Sequence, residues 1–131
     1  MRAQYGQPAP TTPVTDPGSA SMAASLTNRA AGRTAIAGWM RRADPRVTAQ
    51  VFYDVMTTDM RGELGAVAAP VTLLYAQDDA LMTPERAKAA FEPQYAGLAR
   101  FSAHMVPGSR HFIMLDQPEA FAKAVDAFLA E

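Results

Sequence analysis

One histidine and two aspartates carry the chemistry that this chain could do. His111 stands in the run Pro107-Gly108-Ser109-Arg110-His111-Phe112, a tight-turn composition between a strand-like stretch, Phe101 to Val106, and a helix-like one. Asp78 and Asp79 follow a second apolar run, Val71-Thr72-Leu73-Leu74-Tyr75. If the two strands are neighbours, an acid and an imidazole emerge side by side just past their ends. The aspartate would accept from one ring nitrogen and fix the tautomer, while the other nitrogen takes a proton from a nucleophile or water. Asp79 and His111 fit these roles, with Asp78 as the alternative acid. A capped turn beside a surface histidine would have the same spacing, and an aspartate after a strand ordinarily bonds nearby loop amides. His104 falls inside the second strand run, where a packed or hydrogen-bonded histidine is commoner than a second base. Ser109 reads as a turn residue.

The elements that must position these groups alternate. Pro70 precedes the strand Val71 to Tyr75, whose near-continuous apolar character suits burial on both faces, as in a parallel sheet. Thr83 is placed to cap a helix opening with Pro84 and Glu85 and carrying Ala87, Ala90 and Phe91, which Pro93 ends or kinks. The strand Phe101 to Val106 follows. A last helix is expected to start near Asp116, where Asp116 and Glu119 have capping-box spacing, with Phe121, Val125, Phe128 and Leu129 turned inward. Strand, helix, strand, helix implies two parallel strands joined by a right-handed crossover. Two strands leave apolar sheet edges seeking neighbours, so the pattern suits the end of a larger α/β domain or a subunit completed by association.

Upstream, residues 1–26 are rich in Pro, Thr, Ser, Ala and Gly without sustained period and read as a flexible arm or exposed loop. Residues 27–69 read as a helical segment. Ile36, Trp39 and Met40 share a side of one helix despite Gly32 and Gly38, and Asp44 with Pro45 starts another. In that second helix Val47, Val51 and Val55 repeat every four residues beside Phe52 and Met56. Core packing is the expected fate of this stripe, with a ligand cavity or a partner as the alternatives. A short helical link from Asp59 to Val67 leads to the α/β portion, residues 70–131.

Composition limits the function classes. A chain of 131 residues with 49% hydrophobic and 19% charged residues is of single-domain length and suits a soluble globular protein. The formal charge is -1 and the arginines are scattered, which argues against nucleic acid as a partner. There is no cysteine, and His104 and His111 have no second histidine at helical spacing, so neither a metal site nor a cofactor is expected. No apolar run approaches the roughly 18 to 20 residues that span a bilayer, and membrane partnership is not expected. The first residues lead into no signal-peptide core, which makes the cytoplasm the expected compartment.

Two segments resemble the α/β-hydrolase superfamily. Pro70 to Glu85, with Ala76-Gln77-Asp78-Asp79 at its centre, is similar to the family's acid-bearing strand and loop. Val106 to Phe121, including Asp116-Gln117-Pro118-Glu119, is similar to its histidine loop and final helix. The likeness is good over about residues 58–131 and vaguer over 27–57, which corresponds to the end of a helical lid. The resemblance implies the C-terminal strand-helix-strand-helix portion of an α/β-hydrolase fold with a preceding helical lid remnant. It makes His111 the catalytic base and Asp79 the catalytic acid, at the family's Gly-x-x-acid spacing with Ala76 in the glycine position, and keeps Asp78 as runner-up. The chain departs from the family in having no Gly-x-Ser-x-Gly nucleophile elbow and no oxyanion-hole segment.

The expected function is therefore that of the C-terminal part of a hydrolase. The intact enzyme would act on an ester or related bond of a small-molecule substrate by a Ser-His-Asp mechanism. The alternative is a non-catalytic α/β interaction module completed by a second copy or a complementing chain. A weaker third reading makes Asp78 and Asp79 a phosphoacceptor or magnesium pair, without the lysine and hydroxyl context such a site needs.

Overall fold

The computed structural model describes residues 17–130. Its architecture is mixed α/β, built around two parallel strands, β1 (Val71–Gln77) and β2 (Phe101–Pro107). The strands pair in register from Val71 opposite Phe101 to Gln77 opposite Pro107. β-Branched and aromatic residues favour the pleated conformation, and the Thr72 and Ser102 hydroxyls hydrogen-bond across the pair at 2.8 Å. This register puts both C-terminal strand ends at one edge of the sheet.

A parallel pair needs a crossover, supplied by helix α4 (Pro84–Phe91) and a 3-10 turn, Glu92–Tyr95. The expected cap is present: Thr83 Oγ1 accepts from Arg86 N, and Pro84 occupies the first turn. Aromatic rings fasten the crossover to the sheet, with Tyr75 and Phe91 5.5 Å apart between centroids and Tyr95 stacked on Phe101 at 5.4 Å. The Tyr75 hydroxyl donates to Glu92 Oε1 at 2.7 Å. Burial first, and the neighbouring Glu92 second, push the Tyr75 phenol above its ordinary 10.0.

The last helix differs from expectation at its start. A single helical turn, α5 (Ile113–Asp116), precedes α6 (Pro118–Leu129), and the residue before α6 is Gln117, whose side chain makes no cap bond. Asp116 is therefore not the capping-box residue that its spacing with Glu119 suggested; its carboxyl is turned into the protein. Phe121 and Val125 are half-buried, whereas Phe128 and Leu129 are exposed, so only part of the expected apolar face is covered. An open groove of about 460 Å³ runs between the sheet and α6, bordered by Leu74, His104, Val106, Lys123 and Phe128.

Two corrections concern the helices before the sheet. Residues 17–26, expected to belong to a flexible arm, form helix α1 (Pro17–Leu26); residues 1–16 lie outside the described residues. Proline is tolerated in the first turn, and the Ala, Met and Leu that follow are good helix formers once tertiary packing supports them. That support is helix α2 (Ala30–Arg42): Ala23, Ile36 and Ala37 are buried together, with Leu26, Met40, Phe112 and Leu115 packed against them. Helix α3 (Pro45–Thr57) starts as expected, Asp44 Oδ1 accepting from Arg46 N at 2.9 Å. Its apolar stripe, expected to pack in the core, faces outward instead. Val47, Val51, Phe52, Val55 and Met56 are each more than half exposed. Hydrophobic periodicity identifies the stripe but not what covers it.

Candidate active site

Asp79 and His111 emerge from one sheet edge, two residues beyond Gln77 and four beyond Pro107, which are themselves paired. Open α/β sheets place their sites at this edge. Gln77 organises it. Its buried side-chain amide donates to Asp79 Oδ1 at 2.8 Å and to Met82 O at 2.9 Å, and its backbone carbonyl accepts from Ser109 N at 3.1 Å. One residue thus fastens the acid loop to the strand end and draws the histidine loop against it.

The two adjacent aspartates have different partners. Asp78 is mostly buried; its Oδ2 is 2.6 Å from Arg110 Nε, and its Oδ1 accepts from Ala80 N at 3.0 Å. The Arg110 guanidinium, followed by the Ala80 amide, holds this carboxyl below its ordinary 3.8. Asp79 is exposed and gives only Oδ1 to Gln77, so among the described residues its Oδ2 has no hydrogen-bond partner. His111 is exposed too, with its ring set edge-on to Phe112 at 5.1 Å. Among the described residues no hydrogen bond joins His111 to either aspartate. The fold brings the three residues to one edge and leaves the imidazole and one oxygen of Asp79 uncommitted.

His111, Arg110 and Asp78 border an open cleft of about 370 Å³, together with Tyr75, Leu81 and Ile113. The loop carrying His111 turns at Gly108, whose φ of +69° lies in the left-handed region that glycine adopts without strain. Ser109 is buried and its Oγ donates to Val106 O at 2.6 Å, the geometry of a turn residue. His104, expected to be packed or hydrogen-bonded, is exposed on the α6 side of the sheet and has no hydrogen bond among the described residues. Phe112 packs against the α1–α2 core and meets Trp39 edge-on at 5.8 Å, whereas Met114 is exposed.

Sequence reasoning missed the group behind the loop. Asp116 is fully buried, and every polar atom that its carboxylate meets donates to it. Oδ1 accepts from the Thr27 hydroxyl and from Asn28 N at 3.2 Å, and Oδ2 accepts from Arg110 N at 2.8 Å. Gly32 makes room for the Thr27 side chain; a Cβ there would stand 2.7 Å from Thr27 Oγ1. Arg110 completes the arrangement, its Nη1 donating to the Ala24 carbonyl while Nε holds Asp78. The polar pair Thr27-Asn28 between two helices was the available signal, but its partner lies 89 positions away.

Among the described residues no three His, Asp or Glu side chains gather as a metal site, and no helix is long and apolar enough to cross a membrane. No protein-family model matches the chain, and no curated protein matches it. A solved structure of a membrane phospholipase A, described as a bacterial virulence factor, superposes on 84% of this chain with a TM-score of 0.59 and 22% identity. The chain spans 36% of the length of that protein. At this identity the likeness is one of fold.

Proposed function

We propose that this chain is the C-terminal part of an α/β-hydrolase that cleaves an ester or related bond, with His111 as general base and Asp79 as the acid that orients it. The observation that carries the reading is the parallel register of β1 and β2, which delivers both residues to one sheet edge. The partner pattern favours Asp79 over Asp78: an orienting carboxylate needs a free oxygen for the imidazole N–H, and Asp78 already serves Arg110 and Ala80. The shared fold with a protein called a phospholipase A makes a lipid ester the first substrate class to try.

In this mechanism a serine outside these 131 residues attacks the ester carbonyl as its Oγ proton passes to one ring nitrogen of His111. The other ring nitrogen donates to Asp79, which stabilises the imidazolium that forms. His111 then protonates the departing alkoxide, and the acyl-enzyme is released when a water, deprotonated by the same ring, attacks it. The donors for the tetrahedral oxyanion also belong to the part of the fold that this chain does not include.

The test has two parts. The coding sequence upstream in the same frame is expected to encode a strand, Gly-x-Ser-x-Gly and a helix. In the protein that carries them, His111→Ala is expected to reduce ester hydrolysis by about a thousandfold or more with unchanged folding. Full activity in that variant would overturn the assignment.

The outward apolar face of α3 and the two open sheet edges favour a second reading, a non-catalytic module that binds a partner chain. It predicts a stable stoichiometric complex that His111→Ala and Asp79→Ala leave intact.

A further inference from the structure

The loop that carries His111 is held from behind by a part of the chain whose side chains, among the described residues, make no hydrogen bond to His111 or Asp79. On one side of His111 the Arg110 N–H donates to Asp116 Oδ2 at 2.8 Å. On the other side the Phe112 N–H donates to Leu26 O at 3.0 Å. The peptide that follows the histidine and the one that precedes Arg110 are thus both fixed, and both bonds lead back to the corner between α1 and α2. That corner makes further bonds to the loop and to Asp116 at the end of α5. Asn28 Nδ2 donates to Gly108 O at 2.7 Å, Arg29 Nε to Asp116 O at 3.0 Å, and the Thr27 hydroxyl to Asp116 Oδ1.

We propose that Asp116 is a positioning residue for His111, acting through the Arg110 peptide, and that Thr27 in the α1–α2 corner supports it. The proposal rests on His111 being the base and goes further by naming what aims it. The ring nitrogens of a histidine are placed by its own backbone as much as by its side-chain torsions, and proton transfer loses efficiency when the reacting atoms are misplaced by a fraction of an ångström. A buried carboxyl is tolerated only while its donors are all in place. Removing one donor therefore leaves a group that must find another partner, and the Arg110 peptide is the part of the cluster that leads to the site. The clearance at Gly32 shows that α2 is cut back around Thr27 rather than merely packed near it.

The experiment uses the 131-residue chain and two variants, Thr27→Val, which keeps the shape and removes the hydroxyl, and Asp116→Asn. The readouts are amide hydrogen exchange by residue and the NMR signals of the His111 ring. Exchange at Arg110 and Asn28 is expected to quicken by about tenfold or more in both variants while β1 and β2 keep their protection. The His111 ring signals are expected to broaden or split as the ring samples several rotamers, and Thr27→Ser, which retains the hydroxyl, is expected to restore the parent pattern. Unchanged Arg110 exchange and His111 signals in both variants would overturn the proposal. So would a uniform loss of protection throughout the chain in both, which would make the cluster a general stabiliser. None of these readouts needs turnover: local loosening supports the positioning role by itself, whereas the hydrolase reading falls only if His111→Ala keeps full activity in the protein that carries the serine.

Discussion

Arg110 Nε lies 2.6 Å from Asp78 Oδ2, so an ion pair joins the residue before the proposed base to the residue before the proposed acid. Both side chains are mostly buried, at 19% and 14% exposure, which sets this pair apart from the exposed pairs Arg46–Asp44 and Arg61–Asp59. Its effect is to tie the two loops together at the positions next to the chemistry, while Asp79 and His111 remain accessible.

Asp78→Asn tests the energetic side of that tie. The Arg110 guanidinium holds the Asp78 carboxyl below its ordinary value of 3.8 in the folded chain. A depressed carboxylate contributes stability that is present above its unfolded value and is lost as pH falls through the folded one. The variant is therefore expected to be less stable than the parent by about 1 to 2 kcal/mol at pH 7. The gap should hold down to the ordinary 3.8 and close below it. Urea unfolding across this range checks the claim, and a gap that widened with acid would contradict it.

In an active protein containing this chain, Asp79→Asn and Asp78→Asn are expected to separate. Asp79→Asn should lower kcat by roughly a hundredfold or more, because an amide presented to the imidazole can favour the wrong tautomer. Asp78→Asn should cost less than about tenfold, acting through loop position alone. Ester-hydrolysis kinetics on both purified variants would decide the acid. The reverse order would assign it to Asp78.

Ser109→Ala addresses the one serine in the histidine loop. Since its hydroxyl is buried and donates to Val106 O, the substitution is expected to cost about 1 kcal/mol of stability and to leave turnover within about threefold of the parent. Complete loss of turnover with normal folding would make Ser109 a reacting group.

The uncovered helix and the small core make opposite predictions for apolar positions. Phe52→Glu replaces a side chain that is 66% exposed and is expected to change the stability of the 131-residue chain by no more than about 0.5 kcal/mol. Ile36→Ala removes a fully buried side chain from the α1–α2 core and is expected to cost about 2 to 4 kcal/mol. Thermal unfolding of the two variants side by side checks both. A large loss from Phe52→Glu would mean that α3 is covered in solution.

What could be read in the sequence was what depends on neighbours in the chain. Thr83 with Pro84 and Asp44 with Pro45 mark helix starts because a cap bonds amides only a few residues on, and the apolar runs at Val71 and Phe101 marked the strands for the same local reason. Positions answerable to distant partners were opaque. Asp116 and Glu119 have the spacing of a cap, yet Asp116 is claimed by Thr27 from the far end of the chain. Residues 17–26 look loop-like until Ile36 and Ala37 give Ala23 something to pack on. Spacing placed Asp78 and Asp79 in the candidate site; it is Arg110, 32 positions from Asp78, that gives the two residues different environments.

The separation of 89 positions between Thr27 and Asp116 also has an evolutionary consequence. A hydroxyl and a carboxyl that satisfy each other out of reach of water cannot be exchanged one at a time at low cost. Among descendants of this sequence, the first turn before α2 and the residue closing α5 should change together or not at all, and a lineage that swaps the pair for two apolar side chains should also have found another way to hold the Arg110 peptide.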